Sequence, residues 1–456
     1  MTMAGKLFAT NTRPVAPPVS GGGKLTLFLL ALVIVVIAEA IGNVSIPVGA
    51  GKIVLLPLLW ALLLGGALGL MSPRLPAPLR LSGALQNAAG AYLQPALLIF
   101  IAKLGLLVGG SLPKILASGW ALAFQEFGHF FGTMVFGLPV ALLLGIKREA
   151  IGATFSVGRE PSLAIIGERY GMDSPEGRGV LAEYLTGTVF GAVFIALLAG
   201  LITSLGIFNP LALAMGAGVG SGSMMAAASG AIAAQQTPEV AKDVATFAAA
   251  SNLVTTTIGT YFTLFLSLPF TIWAYGKLEP ILGRNRPDAA RPAAAEPRGA
   301  APAHQEVRIG LGETVLAWIL IGTYGLIGNW LTYGVVPDAS VVAGMAIIIG
   351  TVLAGWGLYL LLGRRLPAVL WVSIIGMALT YPGTPYAAEI AALTGKLNFL
   401  ALATPILTFA GLSVAKDVPA FRRLGWRIVV VSFMANAGTF LGAVLIAQFF
   451  MHAPLG

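Results

Sequence analysis

The chain has 456 residues, of which 57% are hydrophobic and 10% are charged, whereas about 25% of the residues in soluble globular proteins are charged. This composition excludes a soluble globular domain and predicts a polytopic membrane protein. The net charge of +9 comes from basic residues between apolar runs, so it indicates membrane topology rather than nucleic-acid binding. With no cysteine and three histidines, neither a metal centre nor a cofactor is expected.

The chain divides into four parts. Residues 1–24 are polar and rich in glycine and proline, which predicts a mobile N-terminal tail. Apolar runs, many of them long enough for a helix that crosses the bilayer, fill residues 25–275 and 311–456. Between these two membrane halves, residues 276–310 are rich in Ala, Pro and Arg and predict a disordered linker. We therefore expect an all-α membrane protein with about ten to twelve crossings.

Basic segments predict which side of the membrane each connection faces. Residues 147–178 and the linker 276–310 are both basic, so both are expected on the cytoplasmic side of a bacterial inner membrane. An even number of crossings must then join them, but three apolar runs lie between them. The run 209–234 is the one expected to enter the membrane and return.

A stretch rich in glycine and serine lies inside this run. Residues Gly216–Gly230 include Gly220-Ser221-Gly222-Ser223, which carry no charge and little bulk. Irregular backbone survives in a membrane only where protein or a wet cavity surrounds it. The stretch therefore predicts a broken helix or a re-entrant tip that lines an internal site. The alternative is a face of small residues for tight helix packing.

The two halves contain a weak repeat. Without gaps, residues 105–133 align with residues 411–439 at an offset of 306, and Ile41-Gly42-Asn43 separately resembles Ile327-Gly328-Asn329. The aligned identities are Gly105/Gly411, Val108/Val414, Pro113/Pro419, Gly119/Gly425, Trp120/Trp426, Phe127/Phe433, Gly132/Gly438 and Thr133/Thr439. Internal repeats that flank a midplane site are typical of secondary transporters. The alignment leaves parallel and inverted repeats open.

Glu126 and His129 lie near the middle of a long apolar run, on one helix face at spacing i, i+3. Ionisable residues at that depth are rare and usually functional, so the pair is a candidate relay for a proton or cation. The alternative is a structural pair in which Glu126 holds His129. Because Ser432 and Ala435 occupy the aligned positions of the second half, a relay would be asymmetric.

Other polar residues extend the set of candidates. Glu39 and Asn43 form a second pair at i, i+4, for which a position at the membrane interface is equally compatible. Asn252 and Thr256 begin a polar stripe that continues with Gly259, Thr260 and Thr263. Such a stripe could line a pore or bridge helices.

Two further residues are candidates for substrate contact. Thr384 lies in Tyr381-Pro382-Gly383-Thr384-Pro385, the second stretch in which unwound backbone is expected within the membrane. Arg159 could pair with an anionic substrate, because a guanidinium binds a carboxylate through two hydrogen bonds; a solvated cytoplasmic face is the alternative. No nucleotide-binding or metalloprotease motif is present, which argues against ATP-driven transport by this chain alone.

The order of these parts resembles two known groups of proteins. Two related halves, a basic linker and the motif Gly218-Val219-Gly220-Ser221-Gly222-Ser223 resemble the bacterial sodium–glutamate and 2-hydroxycarboxylate symporters. The segment Gly158-Arg159-Glu160-Pro161-Ser162 looks like that of an uncharacterised bacterial family of integral membrane proteins. The first resemblance implies a secondary transporter, and the second implies no activity.

Together these patterns predict a secondary transporter of a small organic anion, coupled to Na⁺ or H⁺. Residues 220–223 would hold the carboxylate of the anion, as the N-termini of broken helices do. The bilayer is the expected partner, nucleic acid is not, and a homodimer is left open. An intramembrane serine hydrolase with Ser221 as nucleophile and His129 as base is the main alternative. A passive channel is a third.

Overall fold

The computed structural model describes residues 21–48, 51–76, 79–117, 120–171, 174–284, 309–363, 368–416, 418 and 425–452. The helices are α1 (Gly21–Ile41), α2 (Pro57–Met71), α3 (Gly83–Ala117), α4 (Trp120–Leu143), α5 (Glu149–Thr154), α6 (Arg159–Arg169), α7 (Pro175–Thr186), α8 (Ala192–Ser204), α9 (Pro210–Ala217), α10 (Gly222–Ala233), α11 (Pro238–Phe262), α12 (Leu268–Leu282), α13 (Leu311–Tyr333), α14 (Ala339–Leu361), α15 (Ala368–Thr380), α16 (Ala387–Gly395), α17 (Phe399–Val414) and α18 (Trp426–His452). Short π-helical segments, Gly187–Gly191 and Thr263–Ser267, join α7 to α8 and α11 to α12.

Seven of the described helices are long and apolar enough to cross a membrane, and α16 with α17 makes up to eight if that bent pair is one span. The seven segments are Gly21–Ile41, Gly83–Pro113, Trp120–Leu143, Pro175–Ser204, Leu311–Tyr333, Ala339–Leu361 and Trp426–Met451. The protein is therefore an all-α polytopic membrane protein, as predicted. If α2, α15 and the interrupted helix α11–α12 are counted as well, the described helices give ten or eleven crossings.

A small β-hairpin connects α1 to α2. Strands β1 (Val44–Val48) and β2 (Gly51–Leu55) pair antiparallel, with Val44 opposite Leu55. Gly42, at φ +70°, turns the chain out of α1 before β1 begins. A left-handed backbone of this kind is readily adopted by glycine.

Helices α4 and α18 pack in direct backbone contact along two glycine pairs. A Cβ built on Gly128 would overlap the Gly442 carbonyl, and a Cβ built on Gly132 would overlap the Gly438 carbonyl. Both pairs require that residue numbers rise along one helix while they fall along the other, so the helices are antiparallel. Close approach of backbones through small residues is the usual way that membrane helices associate.

Because α4 and α18 carry aligned segments of the two halves and run in opposite directions, these repeats are inverted. A second pair of contacts shows that the two repeats also pack equivalently on their neighbouring helices. A Cβ on Gly376 of α15 would lie 3.1 Å from the backbone of Gly105 in α3. A Cβ on Gly65 of α2 would lie 3.2 Å from the backbone of Gly411 in α17, the residue aligned with Gly105. Thus α3 packs on α15 as α17 packs on α2.

Helices α1 and α13 lie side by side and run in the same direction. Lys24 forms an ion pair with Glu313 at 2.7 Å near their first turns, and Glu39 accepts a hydrogen bond from Thr332 near their last turns. The short alignment of residues 41–43 with 327–329 therefore relates the ends of two parallel helices. Equivalent helices of an inverted repeat run in opposite directions, so this alignment does not belong to the inverted repeat.

The basic connection after α4 meets the end of α12. Lys147 pairs with Glu279 at 2.8 Å, so the two helix ends lie on one side of the bundle. In the same region Arg148 binds Glu176 through Nε and Nη2, and this hydrogen-bonded pair holds the pKa of Arg148 above its ordinary value. Helix α12 continues through Leu282 into the segment expected to be linker. Most of the linker, and residues 1–20 of the tail, lie outside the described residues.

Candidate functional site

Helices α9 and α10 form the predicted re-entrant hairpin. Along α8 and α10, Gly191 lies beside Met224 and Gly200 lies beside Ala231, so these two helices are parallel. Helix α9 follows α8 through a short turn and reverses direction, and α10 reverses again. Both ends of the α9–α10 pair are therefore at the same end of the bundle, and residues 218–221 form an internal tip.

The tip changes direction at a single residue. Gly220 has φ +87°, a conformation that a side chain would strain. Ser221 then caps α10, because its Oγ accepts a hydrogen bond from Met224 N at 3.3 Å. Ser221 Oγ and Ser223 Oγ are 3.1 Å apart. Gly222 is the first residue of α10 and is not at positive φ, so the irregular backbone that the sequence predicted is centred on Gly220.

Helix α11 fixes the tip from its side. Asn252 Nδ2 donates to Gly218 O at 2.8 Å and to Gly220 O at 3.4 Å, while Ser251 Oγ donates to Met215 O at 2.7 Å. Asn252 is buried, so these bonds satisfy carbonyl groups that have no helical partner at the break. Two groups of candidate residues, the tip and the polar stripe that begins at Asn252, are therefore in contact.

A small cleft, with room for about one water molecule, lies beside Asn252, between α3, α11 and α15. Its lining residues are Ile101, Leu104, Gly105, Val108, Ala249, Asn252, Leu253, Val369, Ser373 and Met377. Asn252 and Ser373 supply the polar groups of a wall that is otherwise apolar or glycine. Gly105 belongs to the repeat contact described above, so the cleft opens where α3 crosses α15.

Glu126 and His129 occupy the interior of α4, at 0% and 2% exposure. Glu126 Oε1 accepts from Gln125 Nε2 at 2.7 Å and from the Thr255 hydroxyl, and Glu126 Oε2 is 3.4 Å from His129 Nδ1. His129 stacks on Phe130 with ring centroids 4.4 Å apart. Among the described residues His129 Nε2 has no hydrogen-bond partner. The predicted pair is thus formed, and Gln125 and Thr255 donate hydrogen bonds to its carboxylate.

One helix connects the tip to this pair. On α11, Asn252 binds the tip and Thr255, three residues later, binds Glu126. A movement of α11 by less than one turn would change both sets of hydrogen bonds. The sequence identified both polar groups, but it gave no sign that α11 would bridge them.

The remaining predicted substrate residues are elsewhere. Thr256 is exposed, and its hydroxyl donates to Asn252 O at 2.8 Å within its own helix. Thr384 lies in a turn between α15 and α16, where its hydroxyl donates to Ala378 O at 2.8 Å. The side chains around this turn are largely exposed, so it is a surface turn and not a broken helix inside the bundle. Arg159 begins α6, and its side chain lies outside the described part of the structure.

The broken helix of the C-terminal half is instead the α16–α17 pair, which bends by 59°. Asn329 of α13 holds the break: its Nδ2 donates to Lys396 O at 3.1 Å, and its Oδ1 accepts from Asn398 N at 2.8 Å. Asn398 caps α17 by accepting from Leu400 N at 2.9 Å. The sequence does carry signals of this break, a glycine at the end of α16 and the N-cap Asn398, but they do not show that the two helices form one bent pair.

Two further charged residues are buried within apolar runs and were not among the candidates predicted from the sequence. Lys103 of α3 is 2% exposed and donates to Thr394 O at 2.7 Å, at the C-terminal end of α16. Glu183 of α7 is 2% exposed and accepts from Asn436 Nδ2 at 3.4 Å. Both stand within apolar runs, so the rule that identified Glu126 would have found them.

Comparisons with known proteins identify a family and nothing closer. No curated protein matches the chain. No solved structure matches it either. Residues 36–277, more than half of the chain, match the family model described as "Protein of unknown function (DUF3100)". This segment contains the re-entrant hairpin, α11 and the Glu126–His129 pair. The chain therefore belongs to this family of proteins of unknown function.

Proposed function

We propose that this protein is a secondary active transporter, which carries a small organic anion across the bacterial inner membrane and couples its movement to Na⁺ or H⁺. The observation that carries the proposal is the link through α11. Asn252 binds the irregular backbone of the tip, and Thr255 binds the buried carboxylate of Glu126. A substrate element and an ion-sensitive element are thereby tied to the same rigid helix.

The inverted packing of the repeats supports this proposal. Secondary transporters commonly have inverted repeats with broken helices at their interface, and substrate and ion sites near the membrane midplane. The α9–α10 hairpin and the bent α16–α17 pair are two interrupted elements of that kind. Direct contact between α4 and α18 provides a glycine-lined surface at which two repeats could rock.

The tip has the chemistry expected for an anion. The first backbone N–H groups of a helix have no intrahelical acceptor, and the helix dipole favours negative charge there. At α10 the hydroxyls of Ser221 and Ser223 stand beside these groups, and the cleft at Asn252 is adjacent. A carboxylate would bind by hydrogen bonds alone, which suits a site that must also release its ligand.

The hydrolase alternative lacks its defining contact among the described residues. Ser221 Oγ is engaged with Ser223 and with Met224 N, while His129 Nδ1 faces Glu126. A serine nucleophile and its base must come within hydrogen-bond reach of each other. No hydrogen bond joins Ser221 to His129 in the part of the chain that the structure describes, so transport is favoured.

Thermal unfolding of the detergent-solubilised protein tests the proposal. A panel of mono-, di- and tricarboxylates, each with and without Na⁺, is expected to include a compound that raises the melting temperature saturably, because a ligand of the folded state stabilises it. That compound is then tested for uptake into proteoliposomes under a Na⁺ or pH gradient. Stabilisation without uptake under any gradient would exclude coupled transport, and hydrolysis of a panel ester by the purified protein would favour the alternative.

A further inference from the structure

Glu39 is a buried carboxylate with one oxygen left unpaired. It is 2% exposed, in the last turns of α1, and is enclosed by α13 and α17. Its Oε2 accepts a hydrogen bond from the Thr332 hydroxyl, whereas Oε1 has no hydrogen-bond partner among the described residues. The pairing with Asn43 that the sequence suggested is not formed, because α1 ends at Ile41 and Gly42 directs the chain away.

The surroundings of Glu39 supply oxygen atoms and, at Gly328, room for the carboxylate itself. A Cβ on Gly328 would lie 2.9 Å from Glu39 Oε1, so this glycine leaves room for the carboxylate. The hydroxyl of Thr332 binds Oε2, the hydroxyl of Thr404 faces the carboxylate without a hydrogen bond to Oε1, and no basic side chain of the described residues acts on the carboxylate. The main-chain oxygen of Glu39 also accepts from Thr332, at 3.1 Å.

A buried carboxylate without a basic partner requires another positive charge. An unpaired charge in a low-dielectric interior is costly, so the group either binds a proton or binds a cation. Carboxylate, hydroxyl and carbonyl oxygens are the donors that hard cations prefer. The single carboxylate fits a monovalent ion, because its one negative charge balances one positive charge.

Glu126 differs from Glu39 in this respect. Both of its oxygens have partners, from Gln125, Thr255 and His129. In this arrangement neither oxygen of Glu126 lacks a partner, whereas Glu39 Oε1 does.

The position of Glu39 connects it to the broken helix of the C-terminal half. Gly328, which accommodates the carboxylate, directly precedes Asn329, which holds the α16–α17 break through Lys396 O and Asn398 N. Thr404 lies on α17 itself, in the second turn after the break. An ion at Glu39 would thus contact α17, which follows the bend, and α13, which holds the break through Asn329.

We propose that Glu39, Thr332 and Thr404 form a binding site for Na⁺, and that this ion is the one coupled to transport. The proposal rests on the proposed function and extends it by naming the coupling ion and its ligands. Occupancy would fix α1, α13 and α17 together and hold the α16–α17 bend in one arrangement.

Thermal unfolding of the full-length protein in detergent tests the site with the ion alone. NaCl is titrated against choline chloride at constant total ionic strength, with KCl as a second series. The unmodified protein is expected to show a saturable, Na⁺-specific rise in melting temperature. Glu39→Gln is expected to abolish this rise, and Thr404→Val to shift its midpoint by about tenfold or more, as for a lost supporting ligand. Glu389→Gln, at an exposed site on α16, should behave as the unmodified protein.

The outcomes separate this proposal from the proposed function. If Glu39→Gln does not fold, the midpoints of Thr404→Val and Thr332→Val decide the question. A response to Na⁺ that persists in Glu39→Gln, or an unmodified protein that does not respond to Na⁺, overturns the site. A response to pH alone that Glu39→Gln removes also overturns it, since the group then binds only a proton. Carboxylates that stabilise the protein and are taken up without Na⁺ would leave transport intact and remove the Na⁺ site.

Discussion

Thr133 and Thr439, which occupy aligned positions 306 residues apart, share a hydrogen bond between their hydroxyls at the crossing of α4 and α18. Equivalent residues of two inverted repeats can contact each other only where the axis that relates the repeats passes between them. The axis therefore lies at this pair, and the flanking glycine pairs Gly128–Gly442 and Gly132–Gly438 are arranged around it.

The glycines at this crossing are expected to be intolerant of substitution. Gly132→Ala would place a Cβ against the Gly438 carbonyl, which is backbone and cannot move aside. We expect a loss of about 1–3 kcal/mol in stability, the usual cost of overpacking. Gly350→Ala in α14 is the matched control, because a Cβ there meets nothing within 4 Å. The melting temperatures of the two variants, compared with that of the unmodified protein, provide the measurement; equal values would contradict the packing role.

The sequence predicted the membrane class, the re-entrant hairpin and the Glu126–His129 pair, because each leaves a local signal in composition or spacing. It also located the repeat that contains Thr133 and Thr439. Whether that repeat is inverted could not be predicted, since direction depends on how many shorter helices cross in between. The bridge formed by Asn252 and Thr255 was equally hidden, because it depends on which helix packs beside α4 and beside the tip.

Glu39 illustrates a different limit. Its sequence position, near the end of an apolar run, was equally compatible with a solvated interfacial carboxylate. Burial by α13 and α17 is a tertiary effect, and so is the space provided by Gly328. The expectation that Thr384 lies in unwound backbone inside the bundle shows the opposite limit. Pro and Gly indicate a turn but not its depth, and the side chains of this turn are largely exposed.

Membrane sidedness provides a second prediction. The Lys147–Glu279 ion pair places the ends of α4 and α12 on one side of the bundle. The basic residues that follow each helix predict that this side is cytoplasmic. When fused at Arg291, in the linker, a reporter that functions only in the cytoplasm should therefore be active, and one that functions only in the periplasm should be inactive. Activity of a periplasmic reporter at this position would reverse the orientation and require a new account of the basic segments.

The Glu126 cluster is expected to control ion dependence. Glu126→Gln keeps the size of the side chain and removes its charge, so the fold should persist while uptake loses its dependence on the ion or pH gradient. Thr255→Val removes a hydroxyl donor to the carboxylate and should weaken the same dependence in part. The measurement is initial uptake per folded protein at varied gradients. If both variants retain the full gradient dependence, Glu126 has a structural role as the partner of Gln125 and His129.

The tip residues are expected to act on binding in a graded way. Gly220→Ala forces a side chain into φ +87°, at a cost of roughly 1–2 kcal/mol, and should distort the backbone that Asn252 holds. Ser223→Ala removes a hydroxyl and leaves the backbone N–H groups in place, so it should weaken anion binding by about 1–3 kcal/mol. Ser221→Ala should do the same and also lower stability by about 1 kcal/mol, because it removes the cap of α10.

A serine further along α10 provides the control for these changes. Ser229 is buried in the same helix, and its hydroxyl donates to Met225 O at 2.7 Å, away from the tip. Ser229→Ala is therefore expected to leave anion binding unchanged. The measurement is the concentration of the stabilising carboxylate at half-maximal thermal shift for each variant. If Ser223→Ala and Ser229→Ala give the same midpoint as the unmodified protein, the tip serves helix packing and the anion binds elsewhere. Loss of binding in Ser223→Ala, with Ser229→Ala unaffected, is the pattern that a substrate site at the tip requires.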